Sequence, residues 1–192
     1  MRIRKGEKRD AQFLSKVVTE AIGDELSVGL AGSEERRPLV DQLFASLAGM
    51  ENSQYSYRNA IIAEDEEGNR IGGIIAYDGA RLHELRKAFV KEANRLLGWN
   101  VTDEATEEWG DEADAGEVYI DSLYVVPEAR QKGVATALIK SVEERYGDAG
   151  KPLGLLVEPE NAIARRAYLR RGFGDTGVSN FFRTPMIHMQ KK

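Results

Sequence analysis

The sequence predicts one α/β domain of the α+β kind, a mixed sheet with helices on both faces, spanning residues 1–192. Three observations predict it. The 192 residues suffice for one hydrophobic core and leave little room for a second. Short apolar runs bounded by turn residues alternate with longer stretches whose apolar residues recur every three or four positions. Their order is strand, two helices, a run of strands, then helix–strand–helix and two closing strands, which sets helices against both sides of a sheet.

Each element has its own signal. Ile3 opens a short first strand. In residues 9–22, Phe13, Leu14, Val17, Val18 and Ile22 recur at helical spacing. Ser33-Glu34-Glu35-Arg36 has the form of a capped helix start, and Leu39, Leu43 and Leu47 form the stripe of that second helix. Residues 60–63 and 71–77 read as strands joined by the hairpin turn Glu67-Gly68-Asn69, and Gly72-Gly73 predicts a bulge or close packing. Asp78 is placed to cap a helix over residues 80–97, with Leu82, Leu85, Phe89, Ala93, Leu96 and Leu97 as its stripe. Residues 103–117 hold 8 acids and no base in 15 positions and read as an irregular, solvated segment. Residues 118–126 form a long strand stopped by Pro127. Residues 133–146 form a helix with Val134, Leu138, Ile139 and Val142 inward, and 152–157 a buried strand. Residues 161–171 form a helix that Gly172 is placed to end. Residues 173–176 and 181–189 are predicted as the last two strands.

Composition narrows the function classes. Hydrophobic residues make up 42% and charged residues 31% of the chain, as in ordinary soluble domains. A formal net charge of -5 argues against a nucleic-acid partner, whose phosphates call for a basic footprint. The absence of cysteine excludes a disulfide framework, a thiolate zinc site and a cysteine nucleophile, and it fits a cytoplasmic protein. Met1-Arg2-Ile3-Arg4-Lys5-Gly6 lacks the apolar core of a signal peptide. No apolar run reaches a membrane-spanning length, so no membrane partner is expected. Asn100-Val101-Thr102 matches a glycosylation sequon, which without a secretion signal is a chance match. His83 and His188 stand far apart in the chain, and no metal is expected.

The strongest chemical signal lies where the strand ending at Val126 feeds the helix near Gly133. A helix N-terminus presents unpaired N–H groups and the positive end of the helix dipole, which makes it a natural phosphate site. Gly133 and Ala135 leave room for close approach, while Arg130, Gln131 and Lys132 add charge and donors. Taken alone, this loop is either an anion site or an ordinary strand–helix turn with exposed bases. Other phosphate motifs fit worse. Gly147-Asp148-Ala149-Gly150-Lys151-Pro152 is too short for a Walker loop and carries Pro152 where Ser or Thr is needed. No dinucleotide glycine motif follows a strand, and His-Glu-x-x-His and Gly-x-Ser-x-Gly are absent.

The stretch Leu123-Tyr124-Val125-Val126-Pro127-Glu128-Ala129-Arg130-Gln131-Lys132-Gly133-Val134-Ala135 resembles the central motif of the GNAT superfamily of N-acetyltransferases. That motif is an aliphatic strand, a proline, then Arg/Gln-x-x-Gly-x-Gly/Ala opening a helix. A second family motif follows about thirty residues on, Asn-x-x-Ala, then Tyr, then Gly-Phe, here Asn161, Ala164, Tyr168, Gly172 and Phe173. The two in order, with a strand between, are more specific than either alone, and the resemblance covers residues 118–173. It implies a mostly antiparallel sheet of about six to seven strands, and acetyl-CoA as co-substrate. The amides of Gln131, Lys132, Gly133, Val134, Ala135 and Thr136, with Arg130 beside them, would bind the pyrophosphate. The backbone around Leu123, Tyr124 and Val125 would meet the pantetheine arm and the thioester carbonyl at a bulge, where a free N–H can stabilise an oxyanion. Asn161 would contact the cofactor or orient the following helix, with Ala164 and Tyr168 lying along the same site.

The resemblance further implies direct attack on the thioester by an amine, with no covalent enzyme intermediate. An alkylammonium, with a pKa of about 10, must first lose a proton, and the leaving thiolate gains one. Tyr168 matches the family's proton donor; the other reading is a core tyrosine on an amphipathic helix. For the base, Asp121 resembles a carboxylate of spermidine/spermine N-acetyltransferases, and its other reading is a strand aspartate bonded to backbone. Glu117 and Glu158 are the further candidates. With regular alternation, Glu117, Tyr119, Asp121, Leu123 and Val125 share one face of the strand.

The chain departs from many family members at residues 78–116, an insertion between the third and fourth strands. It is expected either to shape the acceptor pocket, its carboxylates drawing in a cationic amine and Trp109 supplying an aromatic wall, or to be a solvated decoration or dimer contact. The expected acceptor is a small-molecule or peptide amine, and the resemblance admits a homodimer. The competing class is a non-catalytic acyl-CoA-binding sensor on the same fold.

Overall fold

A computed structural model describes residues 1–181 and 184–192. In chain order its elements are β1 (Arg2–Lys5), α1 (Ala11–Ala31), α2 (Pro38–Ala48), β2 (Ala60–Glu64), β3 (Arg70–Asp78), α3 (Leu82–Leu97), β4 (Val118–Val125), α4 (Val134–Tyr146), β5 (Leu153–Val157), α5 (Ala162–Leu169), β6 (Gly174–Phe181) and β7 (Thr184–Lys191). The strands form one sheet in the order β1-β2-β3-β4-β5-β7-β6. Every neighbouring pair is antiparallel except β4–β5. The predicted mixed sheet with helices on both faces is present. On one face α1, α2 and α3 bury Leu14, Val18, Leu43, Phe44, Phe89 and Leu97 against Ile62 and Ile75. On the other, α4 buries Val134, Leu138, Ile139 and Val142 against Ile61, Ile74, Val118, Ile120 and Leu155, and Tyr168 of α5 packs beside them.

Gly72 and Gly73 mark close packing. A Cβ on Gly72 would lie 2.9 Å from Cγ1 of Val134, and one on Gly73 would lie 2.8 Å from Cγ2 of Val17. Helices therefore press on the sheet from both sides at these two adjacent residues. The bulge lies further along. β3 and β4 pair as Ile75↔Ser122 and then Ala76↔Ile120, which leaves Asp121 as the extra residue. One extra residue reverses the facing of everything beyond it. Val118 and Ile120 before the bulge and Leu123 and Val125 after it join the same core, while Tyr119 packs with Tyr77, Leu82 and Leu85. The regular alternation expected for 117–125 is therefore broken at Asp121.

Four further expectations are corrected. The helix read over residues 9–22 is only the first segment of α1: Gly23 leaves the helical conformation (φ 76°, ψ 173°), and a second helical segment follows to Ala31. The break resets which side faces inward, so the apolar stripe stops with the first segment. Ser33 accepts no capping hydrogen bond, and α2 starts instead at Pro38, whose fixed φ suits a first helical turn. The acidic stretch is not fully solvated, because Thr106, Glu112 and Glu117 are buried. The first of the last two strands is longer than predicted and the second lies further along the chain, because Phe181 ends β6, pairing with Thr184, and β7 runs to Lys191. β6 is a polar edge strand with no alternating apolar pattern to reveal it. Residues 182–183 of the predicted last strand lie outside the described residues.

The N-terminal strand is tied in by charge. Fully buried Asp10 accepts hydrogen bonds from Arg4 (2.7 and 2.9 Å) and from Arg70 (2.6 Å), and Arg4 also binds Glu64. Burial alone would raise the Asp10 carboxyl. The bonds from Arg4, Arg70 and the Glu7 amide outweigh it and pull the pKa down to about 2.

Candidate active site

β4 and β5 pair at only two positions, Val118↔Leu153 and Tyr119↔Gly154. Beyond Tyr119 the strands part. The Val126 N–H donates to the Ile71 carbonyl on the β3 side at 3.0 Å. Ladder bonds to one neighbour fall on alternate residues of a strand, so the N–H groups of Leu123 and Val125 face the other way, into the gap left by β5. The resemblance singled out the same two residues for backbone contacts.

The gap opens into a cleft of about 340 Å³, within the range of small-molecule sites. Six residues named from the sequence line it: Asp121, Leu123, Glu158, Asn161, Ala164 and Tyr168. The Asn161 side chain accepts from the Ala164 N–H at 3.0 Å, which caps α5. Ala164 and Tyr168, four residues apart, then share one helix face. Burial, against the nearby Arg171 charge, raises the Tyr168 hydroxyl above its ordinary pKa. Asp121 sits half-buried at the bulge and accepts from the Ser122 hydroxyl at 2.7 Å. Burial pushes its carboxyl up to about 7, opposed by the Ser122 bond and assisted by the charge of Glu112.

The loop after β4 stands at the other end of the gap. A 3₁₀ turn over Pro127–Ala129 leads through Gln131 (φ 61°) to Gly133 (φ 83°), which caps α4 without any side-chain bond. A Cβ on Gly133 would meet no atom within 4 Å, so the backbone conformation, not crowding within the chain, demands glycine here. Among the described residues no side chain caps the first amides of α4, as an anion site requires. Arg130 donates from Nε to the Val125 carbonyl at 3.1 Å, bracing the strand end. Arg171, which the sequence reading missed, donates from Nε to the Thr136 hydroxyl at 3.3 Å, so a cation from the turn after α5 stands beside the loop.

Other predicted residues are placed elsewhere. The Tyr124 ring is buried on the α1 face, 5.6 Å from the Lys16 ammonium. The Val134 side chain packs against Gly72. Glu117 is fully buried outside the cleft. It accepts from Gln190 Nε2 (2.9 Å) and the Asp114 N–H (3.0 Å) and meets His188 Nε2 (2.9 Å). It lies over Gly154, where a Cβ would overlap its carboxylate. His188 meets Thr176 through its other ring nitrogen, and His83 pairs with Asp111. Among the described residues no group of His, Asp and Glu is arranged to hold a metal ion, and no helix is long and apolar enough to cross a membrane.

The insertion meets the cleft through Glu112, not Trp109. Trp109 packs with Phe89 and Trp99, with ring centroids 6.3 and 6.2 Å away. Glu112 lines the cleft, fixed by Gln54 Nε2 at 2.5 Å and by Arg86. Burial raises its carboxyl and the Arg86 charge opposes the rise. Tyr119, placed from the sequence on the strand face of Asp121, also lines the cleft, and Tyr55, Phe181 and Glu20 complete walls that sequence reasoning did not find. The one available signal was Gly23, the glycine at which the helical stripe of residues 9–22 stops and α1 kinks along the cleft.

A mostly antiparallel sheet, opened between its two parallel strands beside an uncapped helix start, is the architecture of acyl-CoA-dependent N-acyltransferases. The chain belongs to the acetyltransferase (GNAT) family, whose model matches residues 44–173, and it is an N-acetyltransferase. Among solved structures, one of an acetyltransferase is 24% identical with a TM-score of 0.74, covering 100% of this chain and 99% of that one. An N-acetyltransferase from Staphylococcus aureus Mu50 is 18% identical with a TM-score of 0.74, over 99% and 100% of the two chains. A histone acetyltransferase HPA2 and related acetyltransferase from Corynebacterium glutamicum ATCC 13032 is 18% identical with a TM-score of 0.67, over 98% and 94%. These are likenesses of fold. No curated protein matches the chain.

Proposed function

We propose that the protein transfers the acetyl group of acetyl-CoA to a primary amine by direct attack in a ternary complex, with Asp121 as base and Tyr168 as acid. The observation that carries this reading is that a carboxyl held near neutrality and a phenol held protonated line one cleft, at the gap where the β4 amides stand free. Acetyl-CoA supplies an activated thioester. The residues present suit it: amides and cations at the start of α4 match a pyrophosphate, and the Leu123 and Val125 N–H groups match the carbonyls of an extended arm. Arg171 adds charge beside Thr136.

The Asp121 carboxylate takes a proton from the acceptor ammonium and leaves a nucleophilic nitrogen. The Leu123 N–H, held by the bulged strand, is aimed where negative charge grows on the acyl oxygen. The freed nitrogen bonds to the acyl carbon and the carbon–sulfur bond breaks. The Tyr168 hydroxyl passes its proton to the departing sulfur, and the phenolate so formed is reprotonated by the second proton that the acylated nitrogen sheds. Glu117, bonded on three sides and outside the cleft, serves as a brace and not as the base, and Glu158 lines the exposed rim. Tyr168→Phe is expected to lower kcat by about 10²-fold or more while acetyl-CoA affinity is kept, read by free-thiol release and calorimetry. An unchanged kcat across pH removes the role of Tyr168. Tight acetyl-CoA binding with no amine-dependent release favours the sensor.

A further inference from the structure

The charged residues lining the cleft are Glu20, Glu112, Asp121 and Glu158, and among the described residues no lysine, arginine or histidine joins them. Glu112 has its own counter-charge in Arg86. Glu20, Asp121 and Glu158 have no ion-pair partner among the described residues. Their depths differ. Asp121 is half-buried at the bulge, whereas Glu20 on α1 and Glu158 after β5 are exposed at the rim. Between them run apolar and aromatic walls, with Leu123, Tyr119, Tyr55, Ile22 and Phe181 among them. A cavity with one carboxyl inside, two at its mouth and an apolar path between them matches a molecule with two positive ends and an alkyl middle. The inner carboxyl takes a proton from one end. The rim carboxylates answer the charge of the other, and the aromatic faces favour a cation passing over them. The same lining repels an acceptor that carries a carboxylate, as a free amino acid does.

Resting on the acetyltransferase reading above, we propose that the acceptor is a dicationic or polycationic alkylamine, selected by the rim carboxylates Glu20 and Glu158 and discriminated against acceptors that bear a carboxylate.

Three acceptors with the same five-methylene spacer test this: 1,5-diaminopentane, hexylamine and 6-aminohexanoate, whose far ends are positive, neutral and negative. With the full-length protein and saturating acetyl-CoA, thiol release gives kcat/KM for each. The expected order is diamine, then monoamine, then amino acid. The outer two are expected to differ by at least about tenfold, beyond the twofold factor for two equivalent amines. The ratio is expected to shrink severalfold in 0.5 M salt and in the Glu20→Gln, Glu158→Gln double variant, whose exposed positions spare the core. Equal values for the three acceptors, or preference for 6-aminohexanoate, overturn the proposal and leave the acetyltransferase reading standing. A ratio unmoved by salt and by the double variant overturns the role of the rim. No release with any amine, although acetyl-CoA binds, overturns both readings.

Discussion

Asp121 owes its properties to one extra residue in a strand. Because β4 bulges there, its carboxyl lies beside the parted strands and not within a ladder, and burial lifts its pKa to about 7. Deprotonated Asp121 is the proposed working form, so kcat/KM is expected to rise as pH increases through about 7, and Asp121→Asn to flatten that limb. Of the groups around it, Tyr55, Tyr77 and Tyr119 are displaced upward in pKa, away from this limb, while burial also raises Glu112, so it is the loss of the limb in Asp121→Asn that assigns it to Asp121. The same shift bears on stability. A carboxyl whose pKa is raised by folding costs stability above that pKa and nothing below its unfolded value near 4. Asp121→Asn is therefore expected to stabilise the protein at pH 8 by at most about 4 kcal/mol, a gain that fades as pH falls from 7 to 4. Urea unfolding at the two pH values measures it. Asp121 could be named from the sequence, but its facing could not, because the bulge is a relation between β3 and β4. Asn161 and Tyr168 were legible because one short helix fixes both.

At the scale of elements, α1 does two jobs on either side of Gly23. Its first half packs Leu14, Val17 and Val18 on the sheet, and its kink brings Glu20, Ile22 and Leu26 to the cleft. The backbone of Gly23 lies in a region that is essentially glycine-only, and a Cβ there would meet nothing within 4 Å. Gly23→Ala is thus expected to cost about 1–3 kcal/mol through conformation alone and to raise the acceptor KM by shifting the wall, with acetyl-CoA affinity little changed. Steady-state kinetics and urea unfolding separate the two effects. The Asp10 hub belongs to the same scale, joining β1, β3 and the start of α1. Removing one partner of a buried ion network strands the others, so Asp10→Asn is expected to cost about 3–5 kcal/mol at pH 7. Its pKa is depressed, so this stabilisation is present above about pH 4 and is lost as pH falls toward 2. The second segment of α1 was hidden because a kink resets the stripe, and the length of β6 was hidden because an edge strand needs no apolar face. The hairpin of β2 and β3, α3, α4 and β5 carried undisturbed local patterns and were readable.

For the whole molecule, element types and their order were enough to predict layers and one sheet, since amphipathic elements have few ways to cover one another. The walls of the cleft were another matter. Tyr55, Glu112 and Glu20 come from a connecting segment, the insertion and a helix bend, and only packing brings them together. Nothing in an acidic run marks Glu112 apart from its neighbours until Arg86 and Gln54 are seen around it.

The meagre pairing of β4 with β5 carries one more consequence. The sheet is two antiparallel blocks, β1 to β4 and β5-β7-β6, joined by two rungs of ladder and by Glu117 reaching across Gly154 to Gln190 and His188. An interior strand thus has amides exposed as at a sheet's margin. In hydrogen–deuterium exchange by NMR, Leu123 and Val125 are expected to exchange fast while their neighbours Ser122 and Tyr124, bonded to β3, stay protected. Added acetyl-CoA is expected to slow the two fast amides and leave the slow ones as they were. The seam that most weakens the sheet would then be the part that its co-substrate mends.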